Sequence, residues 1–422
     1  MTLLHPETAT RHSSSGLFGW WSDGTPDAQR ALIAAGLGWM LDAFDVMLYA
    51  LLLTSIIADL GITRQTAGAI GSVTLLAAAA GGLFFGVVAD RYGRTRALMA
   101  SVLIYSVFTA ACGFATTAAQ LAVFRILLGI GMGGEWASGA ALVSETWPAE
   151  HRGKALGLMQ SAWAIGYLLA AAVTMIVLPR WGWRVVFFVG VLPAFLTFWV
   201  RRHVREPEVW LSTRGSTRTR GRLGDVFRDG RAGVTAAVTA MNACTLFAWW
   251  GFNLWLPGFL STPETSGGVG LSASAMSWFI IAMQIGMWFG YITFGYICDA
   301  IGRKRAYVTY LVCAAVLIAL YTSLRTPVLL LLLGPFVAFF ATGYFSGFGA
   351  VTAEIYPTDI RATAQGFTYN LGRIASAAAP FTVGTLAQSR GFDVALSTTS
   401  VAFVLAALLW VWIPETRGRR LA

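Results

Sequence analysis

The sequence predicts an all-α membrane protein, with twelve transmembrane helices forming two six-helix bundles related by a pseudo-two-fold axis. Three observations carry this expectation. Of the 422 residues, 56% are hydrophobic and 12% charged, whereas an ordinary soluble domain has about 25% charged residues. Apolar windows of about 20 residues, the length that crosses a hydrocarbon core of about 30 Å, recur along the chain. Two charged motifs occur twice at one displacement, which marks an internal duplication.

Residues 1–30 are polar, contain Glu7, Asp23 and Asp27, and show no cleavage site after a short apolar stretch, so they read as a cytoplasmic tail rather than a secretory signal. Apolar windows follow near 31–53, 67–89, 97–116, 121–145, 154–178 and 184–200, giving an N-terminal bundle over 31–200. A basic cytoplasmic linker spans 201–231. Six further windows, near 232–256, 274–297, 306–324, 328–353, 362–387 and 393–414, form a C-terminal bundle over 232–414, and a short cytoplasmic tail covers 415–422.

The net charge is +10, but the placement of the basic residues argues for topology rather than nucleic-acid binding. If both termini are cytoplasmic, 23 Lys or Arg fall in cytoplasmic segments and five in outer loops, namely Arg64, Arg180, Arg184, Arg325 and Arg390. The expected location is therefore a bacterial inner membrane, multi-pass, with the lipid bilayer as partner. The Arg201 to Arg231 stretch leaves a membrane-surface or nucleic-acid contact open, although a basic linker attracts anionic lipid in any case. Cys112, Cys244, Cys298 and Cys313 lie in or at the ends of apolar spans, which indicates no disulfide framework. His5, His12, His151 and His203 all fall in cytoplasmic segments, so no metal-ligand cluster is expected, and no nucleophile stands with a base as an enzyme would need.

The repeat is specific. Gly86-Val-Val-Ala-Asp90-Arg91-Tyr-Gly93-Arg94-Thr-Arg96 parallels Gly295-Tyr-Ile-Cys-Asp299-Ala-Ile-Gly302-Arg303-Lys-Arg305, a displacement of 209 residues. Glu145-Thr-Trp-Pro-Ala-Glu-His-Arg152 parallels Glu354-Ile-Tyr-Pro-Thr-Asp-Ile-Arg361 at the same displacement. A plain basic loop accounts for the arginines but not for Asp and Gly at fixed spacing. These residues read as a conformational latch: Asp90 and Asp299 approach a neighbouring helix end, the glycines permit a tight turn, and the arginines hold the cytoplasmic face.

Five ionisable residues fall well inside spans: Asp42, Asp45, Arg125, Glu135 and Arg373. Charges at that depth are costly and mark function by default. Asp42 and Asp45 are three positions apart, so both carboxyl groups share one face of the first helix, and a pair in a low-dielectric site can take up and release a proton near neutral pH. Arg373 in the eleventh helix suits an organic anion, because a guanidinium grips a carboxylate bidentately. A permanent inter-helix salt bridge, Arg125 with Asp45 or Glu135, is the competing role. Glycines 129, 131, 133 and 134 permit close helix approach. Tyr49, Gln160, Trp163, Tyr167, Asn242, Trp249, Asn253, Gln284 and Tyr344 fill out a candidate cavity. Trp249, Trp250 and Trp255 sit where interfacial tryptophans are common, so at most one is expected to face substrate.

The Gly86 to Arg96 motif, together with Arg125-Ile-Leu-Leu-Gly-Ile-Gly131-Met-Gly-Gly134-Glu135, resembles the signatures of the major facilitator superfamily. Trp39-Met-Leu-Asp42-Ala-Phe-Asp45, Gly133-Gly-Glu135-Trp136, Glu145-Thr-Trp-Pro-Ala-Glu-His-Arg152-Gly and Tyr369-Asn370-Leu-Gly-Arg373 look like its sialate:proton and aromatic acid:proton symporter families. The chain has twelve spans, where full-length sialate carriers have fourteen. The resemblance implies the major facilitator fold and a proton-coupled symporter of a small organic anion working by alternating access; a monomer is expected. No cofactor beyond the coupling proton is implied. The resemblance makes Asp42 and Asp45 candidates for proton or substrate handling and Arg373 a candidate anion contact; Glu135 and Arg125 are expected to join the proton-coupling group, and Tyr369 and Asn370 the substrate group. A sugar or polyol carrier, or a drug exporter, of the same superfamily remains the alternative.

Overall fold

The computed structural model describes residues 19–208, 211, 223–357 and 360–417; the expectations for Glu7, for the start of the N-terminal tail and for most of the basic linker lie outside them. Every regular element among the described residues is a helix. Helix α1 covers Pro26–Leu60, α2 Arg64–Tyr92, α3 Arg94–Cys112, α4 Ala118–Thr146 and α5 Ala149–Val189, followed by the short α6, Leu196–His203. Helix α7 covers Ala232–Ser261, α8 Ala273–Ile301, α9 Arg303–Ser323, α10 Pro327–Thr342, α11 Phe348–Ile355, α12 Arg361–Ser376, α13 Ala378–Ser389 and α14 Phe392–Leu409.

Local chemistry sets many of these boundaries. The hydroxyls of Thr25, Thr63, Thr117 and Ser272 accept hydrogen bonds from backbone N–H groups three residues on and so cap α1, α2, α4 and α8. Gly61 ends α1 in the left-handed region at φ 61°. Helix α5 turns back at Gly182 (φ 76°), three residues after Pro179, so its length holds the fifth predicted span and the start of the sixth.

Among the described residues, ten helical runs are long and apolar enough to cross a bilayer. One of them, His151–His203, carries both the fifth and the sixth predicted spans. The eleventh predicted span is the pair α12 and α13, whose polar residues, Arg361, Gln365, Asn370 and Arg373 among them, keep it below that hydropathy. These readings account for the twelve expected crossings.

Within the first group of helices α2 packs on α4, α1 on α5 and α3 on α4; within the second α7 packs on α12 and α14, α8 on α10 and α9 on α14. Glycines let α4 touch its neighbours backbone to backbone: a Cβ on Gly133 would overlap the Ala78 carbonyl of α2, and one on Gly131 would meet the Tyr105 nitrogen of α3 at 2.7 Å. The two groups meet through α1 with α7, α2 with α13 and α5 with α8.

Two faces follow. The terminal face carries both ends of the described chain and the α2–α3, α4–α5 and α8–α9 turns; the distal face is opposite. Bonds between the groups seal the distal side. Thr54 and Ser261 hydroxyls lie 2.9 Å apart, Arg64 Nη1 donates to the Ala387 carbonyl at 2.8 Å and its backbone N–H to Gln388 Oε1 at 3.1 Å, and the Phe381 N–H donates to Ser72 Oγ at 3.1 Å.

Candidate functional site

Asp42, Asp45 and Glu135 are wholly buried between α1 and α4, and none of their carboxyl oxygens has a hydrogen-bond partner among the described residues. Gly38 makes room for this cluster: a Cβ there would sit 2.6 Å from Glu135 Oε1. Tyr105, whose hydroxyl donates to the Gly38 carbonyl at 3.3 Å, lies within electrostatic reach of all three carboxyl groups. On the far side of Asp45 a Cβ on Gly190 would stand 3.1 Å from its Oδ1.

The cationic neighbours divide unevenly. Arg373 and Arg125 both act on Asp42, while Asp45 has Arg125 and Asp42 for charged neighbours and Glu135 has Asp42. Arg125 forms no ion pair with Asp45 or Glu135, so the salt-bridge role considered for it from sequence does not appear. Its guanidinium lies over the Tyr49 ring, 4.4 Å from the centroid, and Nε and Nη1 have no hydrogen-bond partner among the described residues. The Tyr49 hydroxyl donates to the Ala67 carbonyl at 2.8 Å, which holds the ring under the cation.

Helices from both groups wall a narrow central cavity of about 40 Å³, lined by Trp39, Met132, Gln160, Trp163, Leu246, Trp249, Trp250, Tyr291, Phe345, Tyr369 and Arg373. Arg373 is 6% exposed and forms no hydrogen bond or ion pair with any described side chain. The tryptophans form a chain of ring contacts: Trp39 to Trp163 at 4.7 Å, Trp163 to Trp249 at 5.6 Å and Trp249 to Trp250 at 4.9 Å. Tyr291 also lines a wider vestibule of about 310 Å³, bounded by Trp20, Lys154, Tyr296, Asp299 and Arg303. The cavity thus widens toward the terminal face, while the distal side is bonded shut.

Of the substrate and cavity residues expected from sequence, Gln160, Trp163, Trp249, Tyr369 and Arg373 share this cavity. The others do not line it. Asn370 donates to the Gly366 carbonyl (2.9 Å), Asn253 to that of Trp249 (3.0 Å) and the Tyr167 hydroxyl to that of Asn253 (3.5 Å). Tyr49 serves Arg125, Gln284 is buried with Oε1 unpartnered, and Tyr344 stacks on Phe345 at 4.6 Å. Asn242 is buried against Gly372 and also stands outside the lining. Two tryptophans of α7 line the cavity, Trp249 and Trp250, instead of at most one, because the helix turns adjacent positions toward α5; Trp255 instead donates to the Pro380 carbonyl at 3.0 Å. Trp39 was recognisable from its place three residues before Asp42, on the same helix face.

On the terminal face the duplicated motifs form one device twice. Arg94 pairs with Glu145 at 2.8 Å, and Arg303 with Glu354 at 3.0 Å and with Asp299. Each named pair stays inside its own helix group. Gly93 and Gly302, at φ 117° and 98°, make the turns. Glu206 then accepts from the N–H groups of Thr95 and Arg96, and Glu415 from those of Arg303 and Lys304. These two carboxylates, also 209 positions apart, are a third element of the repeat that a search for longer motifs misses. Arg91 leans on Tyr92, Arg152 is exposed, Gly86 has open space beside it, and Arg361 donates to the Tyr356 carbonyl at 3.3 Å. The Asp90 side chain lies outside the described part.

The chain matches the family model of the Major Facilitator Superfamily over residues 35–269 and 240–422. It is 32% identical over 394 residues to the sialic acid transporter NanX of Escherichia coli, covering 93% of this chain and 95% of that one. It is 30% identical over 422 residues to the niacin transporter NiaP of Acinetobacter baylyi, covering 92% and 94%. Among solved structures it resembles a D-xylose-proton symporter with a TM-score of 0.76 at 21% identity, over 93% of this chain and 99% of the other, which speaks to the fold. With two six-helix groups around a central cavity and a family match along nearly its whole length, the chain belongs to the major facilitator superfamily of membrane transporters.

Proposed function

We propose that the protein is a proton-coupled symporter of a small organic monoanion, held in a bacterial inner membrane with both termini cytoplasmic. The terminal face is then the cytoplasmic one, and the conformation described is open inward. One observation carries the reading: Arg373, unpaired by any described carboxylate, faces a cavity beside Asp42, whose own carboxyl oxygens have no hydrogen bond.

Leaving an ionised group buried and unpaired costs several kcal/mol, so Arg373 calls for an anion and the carboxyl cluster for a proton. The two are linked. When a substrate carboxylate occupies Arg373, the positive charge that favours ionised Asp42 is neutralised, and Asp42 holds a proton more readily; by reciprocity, a protonated Asp42 leaves Arg373 free for the anion. Asp45 and Glu135 extend the proton-holding region along α1 and α4. Proton and anion together leave the site near neutral, which lowers the cost of closing the halves over it during alternating access. A cation exporter is disfavoured by the guanidinium in the cavity wall.

The test is uptake of radiolabelled acids (sialate, lactate, nicotinate, benzoate) into proteoliposomes under an inward acid gradient. Accumulation of an acid, lost in Asp42→Asn and Arg373→Ala, is the expected result. Transport of neutral sugars alone, unaffected by Arg373→Ala, would overturn it.

A further inference from the structure

Building on that reading, we infer that the substrate carries a second, uncharged hydrogen-bond acceptor besides its carboxylate, and that the indole N–H groups of Trp39, Trp163 and Trp249 recognise it. All three tryptophans line the cavity that holds Arg373. They come from α1, α5 and α7, so both halves contribute. Their exposures are 7%, 3% and 4%, which leaves the N–H groups little access to bulk water. None of the three Nε1 atoms has an acceptor among the described residues.

An indole nitrogen is a donor only, and so is a guanidinium. Buried donors without acceptors are unfavourable and uncommon, yet here three gather in ring contact around one cavity. Tryptophans that only support the fold show the contrast: Trp147 Nε1 donates to the Ala28 carbonyl at 2.9 Å and Trp255 Nε1 to that of Pro380 at 3.0 Å. Trp183 and Trp410 also lack acceptors, but neither lines the cavity. Trp183 lies beneath the Arg184 guanidinium and Trp410 packs on Tyr307.

The donors define the ligand. Arg373 is the cation in the lining, so one carboxylate is balanced there, and a second anionic group against the indoles would have no countercharge. A neutral acceptor, such as a ring nitrogen, a carbonyl or a hydroxyl oxygen, satisfies the indoles without that penalty. A hydrocarbon acid of equal size leaves them unpaired and binds less well.

Matched acids test this in proteoliposomes: nicotinate against benzoate, which differ by a ring nitrogen for a C–H, and lactate against propionate. The wild type is expected to favour the acceptor-bearing member of the transported pair by about five- to tenfold in KM, the worth of one net hydrogen bond. Trp39→Phe, Trp163→Phe or Trp249→Phe keeps an aromatic ring and removes the donor. At least one of them should raise KM for the acceptor-bearing acid by that factor and leave its partner unchanged. Competition by picolinate, nicotinate and isonicotinate in the wild type needs no variant: unequal inhibition is expected, because the indoles occupy fixed positions. Equal inhibition by all three and by benzoate, or discrimination unchanged in all three variants, overturns the inference. Failure to accumulate any carboxylate under an acid gradient would instead overturn the symport reading.

Discussion

The indole of Trp136 on α4 is stacked on the phenol ring of Tyr369 on α12, with centroids 5.2 Å apart and planes 14° from parallel. Trp136 follows Glu135, and Tyr369 stands one helical turn before Arg373. The stack therefore joins the helix bearing a buried carboxyl group to the helix bearing the cavity guanidinium, across the two halves. An aromatic pair of this kind contributes about 0.5–1.5 kcal/mol beyond burial. Trp136→Ala should shift the balance between terminal-open and terminal-closed states by about two- to tenfold, and Tyr369→Phe, which keeps the ring, should not. Fluorescence energy transfer between labels on the terminal ends of α4 and α12 reads the difference.

Asp42 and Asp45 should separate by function. Asp42 is the carboxyl group within reach of both Arg373 and Arg125, so Asp42→Asn removes the site where anion and proton meet. Substrate counterflow should persist in this variant while accumulation driven by an acid gradient is lost. Comparison of the two assays checks it; loss of counterflow as well would show that Asp42 holds the substrate rather than the proton.

The distal seal predicts a cross-link. Thr54 and Ser261 approach to 2.9 Å at their hydroxyls, a separation from which paired cysteines can join. Thr54→Cys with Ser261→Cys, oxidised in membranes, should form a disulfide, hold the terminal-open state and stop transport until reductant is added. Either single variant should be insensitive to oxidant, because Cys112 and Cys298 are buried and no disulfide joins the four native cysteines.

Glu415 gives a pH prediction on the terminal face. Burial pushes its carboxyl up, but the backbone N–H groups of Arg417, Arg303, Lys304 and Thr416 outweigh it, and the group is held below its ordinary value. A depressed carboxyl contributes stability above its unfolded value, near 4.3, and loses it as pH falls through the folded value. Glu415→Gln should therefore destabilise the protein by about 1 kcal/mol near pH 7, the usual worth of a capping group, and less at high salt because Glu415 is exposed. The gap to wild type should narrow below about pH 4. Unfolding midpoints in detergent from about pH 2 to pH 8, spanning both sides of the unfolded carboxyl value, measure it.

Local composition determined much about this protein by itself. Apolar runs place the spans other than the polar eleventh, because any backbone in hydrocarbon must satisfy its own hydrogen bonds as helix. The shared 209-residue displacement shows the duplication, and Asp42, Asp45, Glu135, Arg125 and Arg373 are conspicuous because charge is rare at that depth. The turns at Gly93 and Gly302 were legible for the same local reason.

Only the tertiary structure decided which polar and aromatic residues face the cavity. Trp249 and Trp250 are adjacent in sequence and both line it, while Tyr49 on α1, four residues from Asp45, turns away to carry Arg125. In water, an amphipathic pattern shows which side of a helix is inside. In a bilayer, lipid and core are equally apolar, so the pattern is faint, and each helix's rotation and tilt are set by its neighbours. The partnering of Glu206 and Glu415 with helix ends more than 100 residues away is long-range in the same sense: it depends on where α6 and the end of the chain come to rest, which hydropathy does not encode.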